Sequence, residues 1–459
     1  MDQRVLQPSV SHWQNVVTGS PRHTQRLKAL FTFWAGVIFL RPLHHASFVE
    51  MMAAGRGCGL AKNQRLKADC TPHNTVEFPL QQMLAEEPDK AYGNDGKPLH
   101  YSFIAPSQLR LRCYKWPTEN PKAVAILLHG IDSHGRFSWL SKLAPASYED
   151  FLASRAQQLR ERCDVEIEGR DPPELLPPGA PCEPTYQGSF VEMLNKWGYE
   201  VWSMDHQSHG LSEGLQGYRG YWRNPDALAR DARYFVDLVL DQTELPCVCF
   251  GSSLGGNVLL RLLQMGDLRR PLAAAVFCGG MFCLDSRRET LPYSALKYVV
   301  KGLSHCLPQM VLSKESTAEV YPWIYDYTRP DPYHNQAVGS RAAVIEALFA
   351  MTDIIHDFSN WSDVQCERFL VLHNKLDPVC ELRGALAVYD KLHEACKEVE
   401  LIVCNSTHRD FECSRDLKPF SVQKLEGIDV SHVLIGDPDL KMIVNHAVVP
   451  FLQNVTTSH

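Results

Sequence analysis

The nine residues CFGSSLGGN (249–257) decide how this chain folds. They contain the pattern G-x-S-x-G over Gly251-Ser252-Ser253-Leu254-Gly255, and the sequence changes character across it. Before it runs the apolar stretch Pro246 to Phe250 (PCVCF). After it, Asn257 to Met265 (NVLLRLLQM) places apolar residues at helical spacing. A strand that reverses directly into a helix at a serine holds that hydroxyl in a strained turn, and glycines on either side remove Cβ atoms that would collide there. Ser253 is therefore the candidate nucleophile. Ser252 lies off the centre of the pattern and is read as shaping the pocket. The competing reading is a tight strand-to-helix turn in which Ser253 only caps the helix.

Outward from this turn the chain repeats the same alternation. Ala123 to Leu128 (AVAILL), Tyr199 to Met204 (YEVWSM), Ala273 to Phe277 (AAAVF) and Arg368 to His373 (RFLVLH) are short runs dominated by apolar residues. Helix-like segments such as Gly188 to Trp197 and Pro225 to Asp241 separate them. Such runs are central strands covered on both faces, so the fold class is α/β, a doubly wound and mostly parallel sheet. Ahead of them, His100 to Ile104 and Gln108 to Tyr114 alternate apolar and polar residues as two half-buried antiparallel strands. The main domain is accordingly placed at 95–455.

Two segments interrupt the alternation. Residues 140–187 carry a charged helix-like part and then a proline-rich part (DPPELLPPGAPCEP), which reads as a surface insertion. Residues 283–361 contain the apolar, sparsely charged stretch Leu291 to Val311. Ligands of open α/β sheets bind beyond the carboxyl ends of the strands, so a helical insertion emerging there is expected to form a cap. Residues 1–92 form an N-terminal extension that ends in the polar linker DKAYGNDGK (89–97). Within it, the apolar run Ala29 to Leu40 (ALFTFWAGVIFL) follows basic residues but falls short of the roughly 18–20 residues of a spanning helix. It is a candidate for docking on the domain or resting on a membrane surface, as is the cap.

Composition narrows the partners. Hydrophobic residues make up 45% and charged residues 22% of the 459, the balance of an ordinary globular chain. A net charge of -7 without any Lys/Arg run interleaved with aromatics gives no face for nucleic acid. Fifteen cysteines, an odd number without C-x-x-C pairs, imply free thiols in a reducing, cytoplasmic compartment and no zinc site. No cofactor or metal is implied, and the oligomeric state is not legible.

A serine nucleophile needs a base, an acid to orient it and donors for the oxyanion. Leu254, at the helix start, and Ile131, in the turn His129-Gly130-Ile131 after the first central strand, are the candidate oxyanion donors. Asp377 follows the strand Arg368 to His373 and is the candidate acid. Two histidines compete as base. His408 lies in NSTHRD after the apolar Leu401 to Cys404. His432 precedes Asp437-Pro438, an N-cap and first-turn pair opening an expected helix over 439–452. His432 is preferred and His408 is the runner-up.

Together, LLHGIDSH (127–134), GYEVWSMDHQSHGLSEG (198–214), CFGSSLGGN (249–257), LHNKLDPVC (372–380) and SHVLIGDPD (431–439) resemble the monoacylglycerol lipase and lysophospholipase group of α/β-hydrolases, with its serine aminopeptidase S33-type domain. The resemblance covers the chain from about residue 95, apart from its insertions. It implies an α/β-hydrolase fold and an ester hydrolase acting on a monoacylglycerol or lysophospholipid through an acyl-enzyme. It also matches His432-Val433-Leu434 to that group's H-V-L and Asp377 to its D-x-x-C. Ser252 replaces the group's larger His or Gln, and Ser208 replaces a Gly. Two other readings remain: an aminopeptidase-type amide hydrolase, with Glu315 and Glu319 as cap carboxylates, and a non-catalytic hydrolase-like binding protein.

Overall fold

A computed structural model describes residues 83–88, 93–141, 184–288, 291–313, 331–335, 340–375, 377, 379–404, 417–420 and 447–456. His408, His432, Glu315, Glu319, residues 29–40 and the interior of the 140–187 insertion lie outside them. In chain order the strands are β1 (Leu84–Glu86), β2 (Leu99–Ile104), β3 (Arg110–Trp116), β4 (Ala123–Leu128), β5 (Tyr199–Met204), β6 (Cys247–Ser252), β7 (Ala274–Cys278), β8 (Val311–Ser313), β9 (Ser340–Arg341), β10 (Arg368–Asn374), β11 (Glu398–Cys404) and β12 (Leu417–Phe420). The helices used below are α1 (Phe190–Lys196), α2 (Ala227–Leu240), α3 (Leu254–Met265), α4 (Leu291–Cys306), α5 (Ala342–Asp357), α6 (Leu382–Glu394) and α7 (Val449–Thr456).

Ten strands form one sheet in the order β1-β2-β3-β5-β4-β6-β7-β10-β11-β12. Pairing is antiparallel from β1 through the β3–β5 contact and parallel from β5 onward. The expected doubly wound architecture is therefore present. All six residues of β4 are buried, because helices cover both faces. Val124, Ile126 and Leu128 join Leu259, Phe235, Val344 and Val388 from α3, α2, α5 and α6 on one side. Ala123, Ala125 and Leu127 join Phe190 and Leu194 of α1 and Phe451 of α7 on the other. Strand periodicity thus distributes one apolar run between two cores.

The sheet begins earlier than expected. Leu84–Glu86, inside the anticipated 1–92 extension, pairs antiparallel with β2. Two of its three residues are exposed and no apolar run marks it, which is how a short edge strand escapes a reading based on burial. All described residues fall in one unit, Phe78–His459. The ends of the 140–187 insertion meet: Ser141 and Thr185 exchange backbone hydrogen bonds of 2.8 and 2.6 Å. The helix expected over 439–452 is described from Val449 and continues to Thr456. Strand β12, at the sheet edge, was not anticipated. Its Pro419 is tolerated because, among the described residues, β11 alone flanks it.

Candidate active site

Ser253 sits between β6 and α3 with φ 52° and ψ -117°, a region that non-glycine residues rarely occupy. The surrounding backbone holds it there. Its N–H donates to Cys278 O (3.0 Å), and its carbonyl accepts from Met281 N (2.9 Å) and Gly256 N (2.9 Å). The glycines of the motif are needed for packing. A Cβ on Gly255 would strike the Leu128 carbonyl and lie 2.7 Å from His129 O, and one on Gly251 would lie 2.5 Å from Gly255 O. Absence of these side chains lets β4, β6 and α3 converge on the serine.

That convergence brings the turn after β4 to the nucleophile. Leu128 is in register with Gly251. A Cβ built on Gly130 would lie 3.2 Å from Ser253 Cβ and 3.8 Å from its Oγ. Ile131 follows directly. Leu254 opens α3, where backbone N–H groups lack intrahelical acceptors and the helix dipole favours negative charge.

His129 anchors this turn through a reciprocal pair with His206. Its Nε2 accepts from His206 N (2.9 Å) while its Nδ1 lies 2.7 Å from Gly130 O, and His206 Nε2 lies 3.2 Å from His129 O. These bonds are satisfied by one neutral tautomer, with the proton of His129 on Nδ1. His209 packs nearby with its ring tilted, 5.3 Å from the His129 ring, and with Nδ1 2.9 Å from Gln207 O. Asp205, at the head of the same segment, accepts from Gly135 N (2.7 Å), Leu211 N (2.8 Å) and the Tyr114 hydroxyl (2.7 Å). The segment 205–212 is therefore a scaffold for the turn.

Burial holds His129 well below the ordinary imidazole range, and lowers His206 to about 4 and His209 to about 3. These groups stay neutral in the fold but bind protons when unfolded, below about pH 6.5. Their contribution is complete above that pH and is lost as pH falls toward the folded values. Desolvation lifts the carboxyls of Asp132 and Asp231 to about 6 and raises that of Asp237, which acts in the opposite sense but by less, since carboxyls near 6 are only partly protonated at pH 5.5 while unfolded histidines are almost fully charged there. The melting temperature is expected to fall between pH 7.5 and 5.5, each net proton costing about 1.4 kcal/mol per pH unit. Scanning calorimetry at the two pH values checks this, and an equal or higher melting temperature at pH 5.5 contradicts it.

Asp377 lies in the loop after β10, with its side chain 1% exposed. Its Oδ1 accepts from Val379 N (2.8 Å) and Cys380 N (3.0 Å), which fixes the carboxylate. His373, at the end of β10, places Nε2 3.0 Å from Cys380 O and 3.8 Å from Asp377 Oδ2. Cys380 connects acid and nucleophile: its backbone holds Asp377, and its thiol hydrogen-bonds to Ser253. Burial keeps that thiol well above its ordinary pKa, so it is a neutral neighbour. The structure thus brings Ser253, the Gly130 turn and Asp377 into one locality. His408 falls between β11 and β12, and His432 between β12 and α7.

Sequence reasoning missed three supports of this site: His373, His134 and the stretch 331–335 described below. His134 lies within the quoted 127–134 segment but had no assigned partner. Among the described residues, no group of three or more His, Cys, Asp or Glu could hold a metal ion.

The ten-stranded sheet and the strand-serine-helix turn at Ser253 define the α/β-hydrolase fold. The monoglyceride lipase of Saccharomyces cerevisiae, solved as a soluble variant with a substrate analogue, superposes at a TM-score of 0.51 and 14% identity, covering 82% of this chain and 100% of that one. At that identity the likeness establishes the fold. A thermostable carboxyl esterase from Bacillus coagulans is also similar, with a TM-score of 0.49, 16% identity and coverage of 78% and 98%. Residues 184–405, from beside the bridge at Thr185 to the end of β11, match the family model described as serine aminopeptidase, S33. No curated protein matches the sequence.

Proposed function

We propose that this hydrolase cleaves carboxylic esters through an acyl-enzyme on Ser253, with His432 as base, Asp377 orienting that imidazole, and the N–H groups of Leu254 and Ile131 binding the oxyanion. The observation that carries the reading is the strained conformation of Ser253, with the Gly130 turn against it and Cys380 linking it to Asp377. Attack by Oγ forms the acyl bond while the base takes its proton and returns it to the leaving alcohol. Water then repeats the sequence on the acyl group. His432 is favoured because it falls between the last described strand and the last helix, the usual place of the base in this fold.

The substrate is a monoacylglycerol or lysophospholipid. The cap helix α4 and the residue after it expose Tyr298, Val299 and Leu307, at 77%, 56% and 55%, surfaces suited to an acyl chain or to peripheral contact with lipid. Among the described residues no helix is long and apolar enough to cross a membrane. The S33 match favours a second reading, hydrolysis of amino-acyl amides.

The test is labelling by a fluorophosphonate together with turnover of a monoacylglycerol, a lysophosphatidylcholine and an amino-acyl p-nitroanilide. Labelling with turnover of the lipid esters is expected. Turnover of the anilide alone establishes the second reading, and an unlabelled, inactive protein rejects both.

A further inference from the structure

Between the cap helix α4 and strand β9, residues 331–335 form a strap bonded to the turn after β4 and to the 205–212 segment. Asp331 Oδ2 sits 2.9 Å from His134 Nε2, with the His134 side chain 0% and the Asp331 side chain 1% exposed. His134 Nδ1 lies 3.4 Å from the backbone N of Phe137, which leaves Nε2 to carry the proton donated to Asp331. Asp331 Oδ1 accepts from Tyr333 N (2.8 Å), so the strap's own bend is built on the same carboxylate. His334 packs against Phe137, ring centroids 5.1 Å apart.

At the far end of the strap stands Asn335, 2% exposed. Its backbone N–H donates to Asp132 O at 2.7 Å, and its side-chain Nδ2 donates to Ser208 O at 2.8 Å. Both acceptors belong to non-glycine residues in the left-handed region, Asp132 at φ 60° and Ser208 at φ 66°. Such conformations persist only where neighbours impose them. Asp132 directly follows Ile131, and Ser208 lies in the scaffold that holds His129 through His206. One residue from the cap insertion therefore ties both strained turns together. The turn His129-Gly130-Ile131-Asp132 is held by His206 at its first residue and by Asn335 at its last, with Ile131 between them.

We infer that Asn335 is a positioning residue for the oxyanion donor: the strap, clamped on His134 through Asp331, holds Asp132 and so fixes the direction of the Ile131 N–H. This rests on the reading of Ile131 as a donor to the oxyanion of an ester hydrolase. An N–H aimed at the developing charge loses its effect with small displacements, because the interaction is realised in the transition state and depends on geometry already in place. Loosening the strap therefore lowers turnover more than substrate binding. It weakens ligands that form an oxyanion and leaves neutral ligands unaffected.

The experiment compares wild type with Asn335→Ala, which removes the Nδ2 bond to Ser208 O that anchors the residue whose backbone N–H holds Asp132 O, on p-nitrophenyl butyrate with active sites titrated by a fluorophosphonate. Inhibition by an alkyl trifluoromethyl ketone is measured alongside. In that adduct the serine oxygen bonds to the ketone carbon, the carbonyl electron pair moves onto its oxygen, and the serine proton passes to the base. The variant should show kcat per titrated site about tenfold lower, KM within about twofold, and a ketone Ki raised by a factor matching the loss in kcat. Unchanged kcat per site and unchanged Ki overturn the inference, even if the melting temperature drops, since that is the signature of a structural role alone. If Asn335→Ala yields no folded protein, Asn335→Ser is read by the same two measurements. A wild type that neither hydrolyses the ester nor binds the ketone rejects the ester-hydrolase reading instead.

Discussion

Replacing Ser253 by alanine should lower kcat for ester substrates by about 10^5–10^6-fold and abolish fluorophosphonate labelling, with the melting temperature changed by no more than a few degrees. The size of the effect follows from what is lost. Without Oγ there is no acyl-enzyme, and the oxyanion donors and bound substrate are left with only a water to act on. The small effect on stability follows from the backbone. The strain at φ 52° is imposed by the bonds to Cys278, Met281 and Gly256, none of which uses the serine side chain. The substitution removes one hydroxyl, in contact with the neutral thiol of Cys380. Ser252→Ala is the matched control. It changes a hydroxyl on the neighbouring residue of β6 and should retain labelling, with activity altered less than about tenfold. Retention of activity by Ser253→Ala with loss in Ser252→Ala would transfer the nucleophile to the adjacent position.

How far this site could be read from sequence depended on how local its determinants are. The run AVAILL marks β4 from end to end because all six residues are buried, so each one reports the strand. The turn at Ser253 was legible for the same reason: β6, the serine and α3 are contiguous, and the glycines answer to collisions with backbone a few residues away or on the adjoining strand. Strand β1 was not legible, since an edge strand of three residues carries no burial pattern. Nor was β12, whose Pro419 argues against a strand unless its edge position is known. The contacts of His134 and Asn335 were hidden for a different reason. Their partners are 197 and 127 residues away along the chain, and nothing in a short polar stretch such as DPYHN announces which turn it will support. His373 stayed hidden because it reads as the last residue of a buried strand. Only the return of the Asp377 loop brings Cys380 O to its Nε2.

The acid and base offer the sharper second result: Asp377→Asn should reduce kcat by about 10^3–10^4-fold without unfolding the protein. Asp377 Oδ1 already accepts from Val379 N and Cys380 N, and the carbonyl of an asparagine can keep both bonds. Its amide then turns a donor toward the base where the carboxylate presented an acceptor. A histidine facing that donor must carry its proton on the nitrogen directed at Ser253, where it cannot take the serine's proton. Asp377→Ala is a poorer test, because two buried N–H groups would lose their acceptor, at about 1–3 kcal/mol each. The same logic selects the base. His432→Ala should match the loss in Asp377→Asn or exceed it, and the double variant should be little worse than either single one, since the two residues act as a unit. His408→Ala should stay within about fivefold of wild type. If instead His408→Ala is the inactive one and fails to compound with Asp377→Asn, then the base follows β11, the strand parallel to β10, rather than standing between β12 and α7.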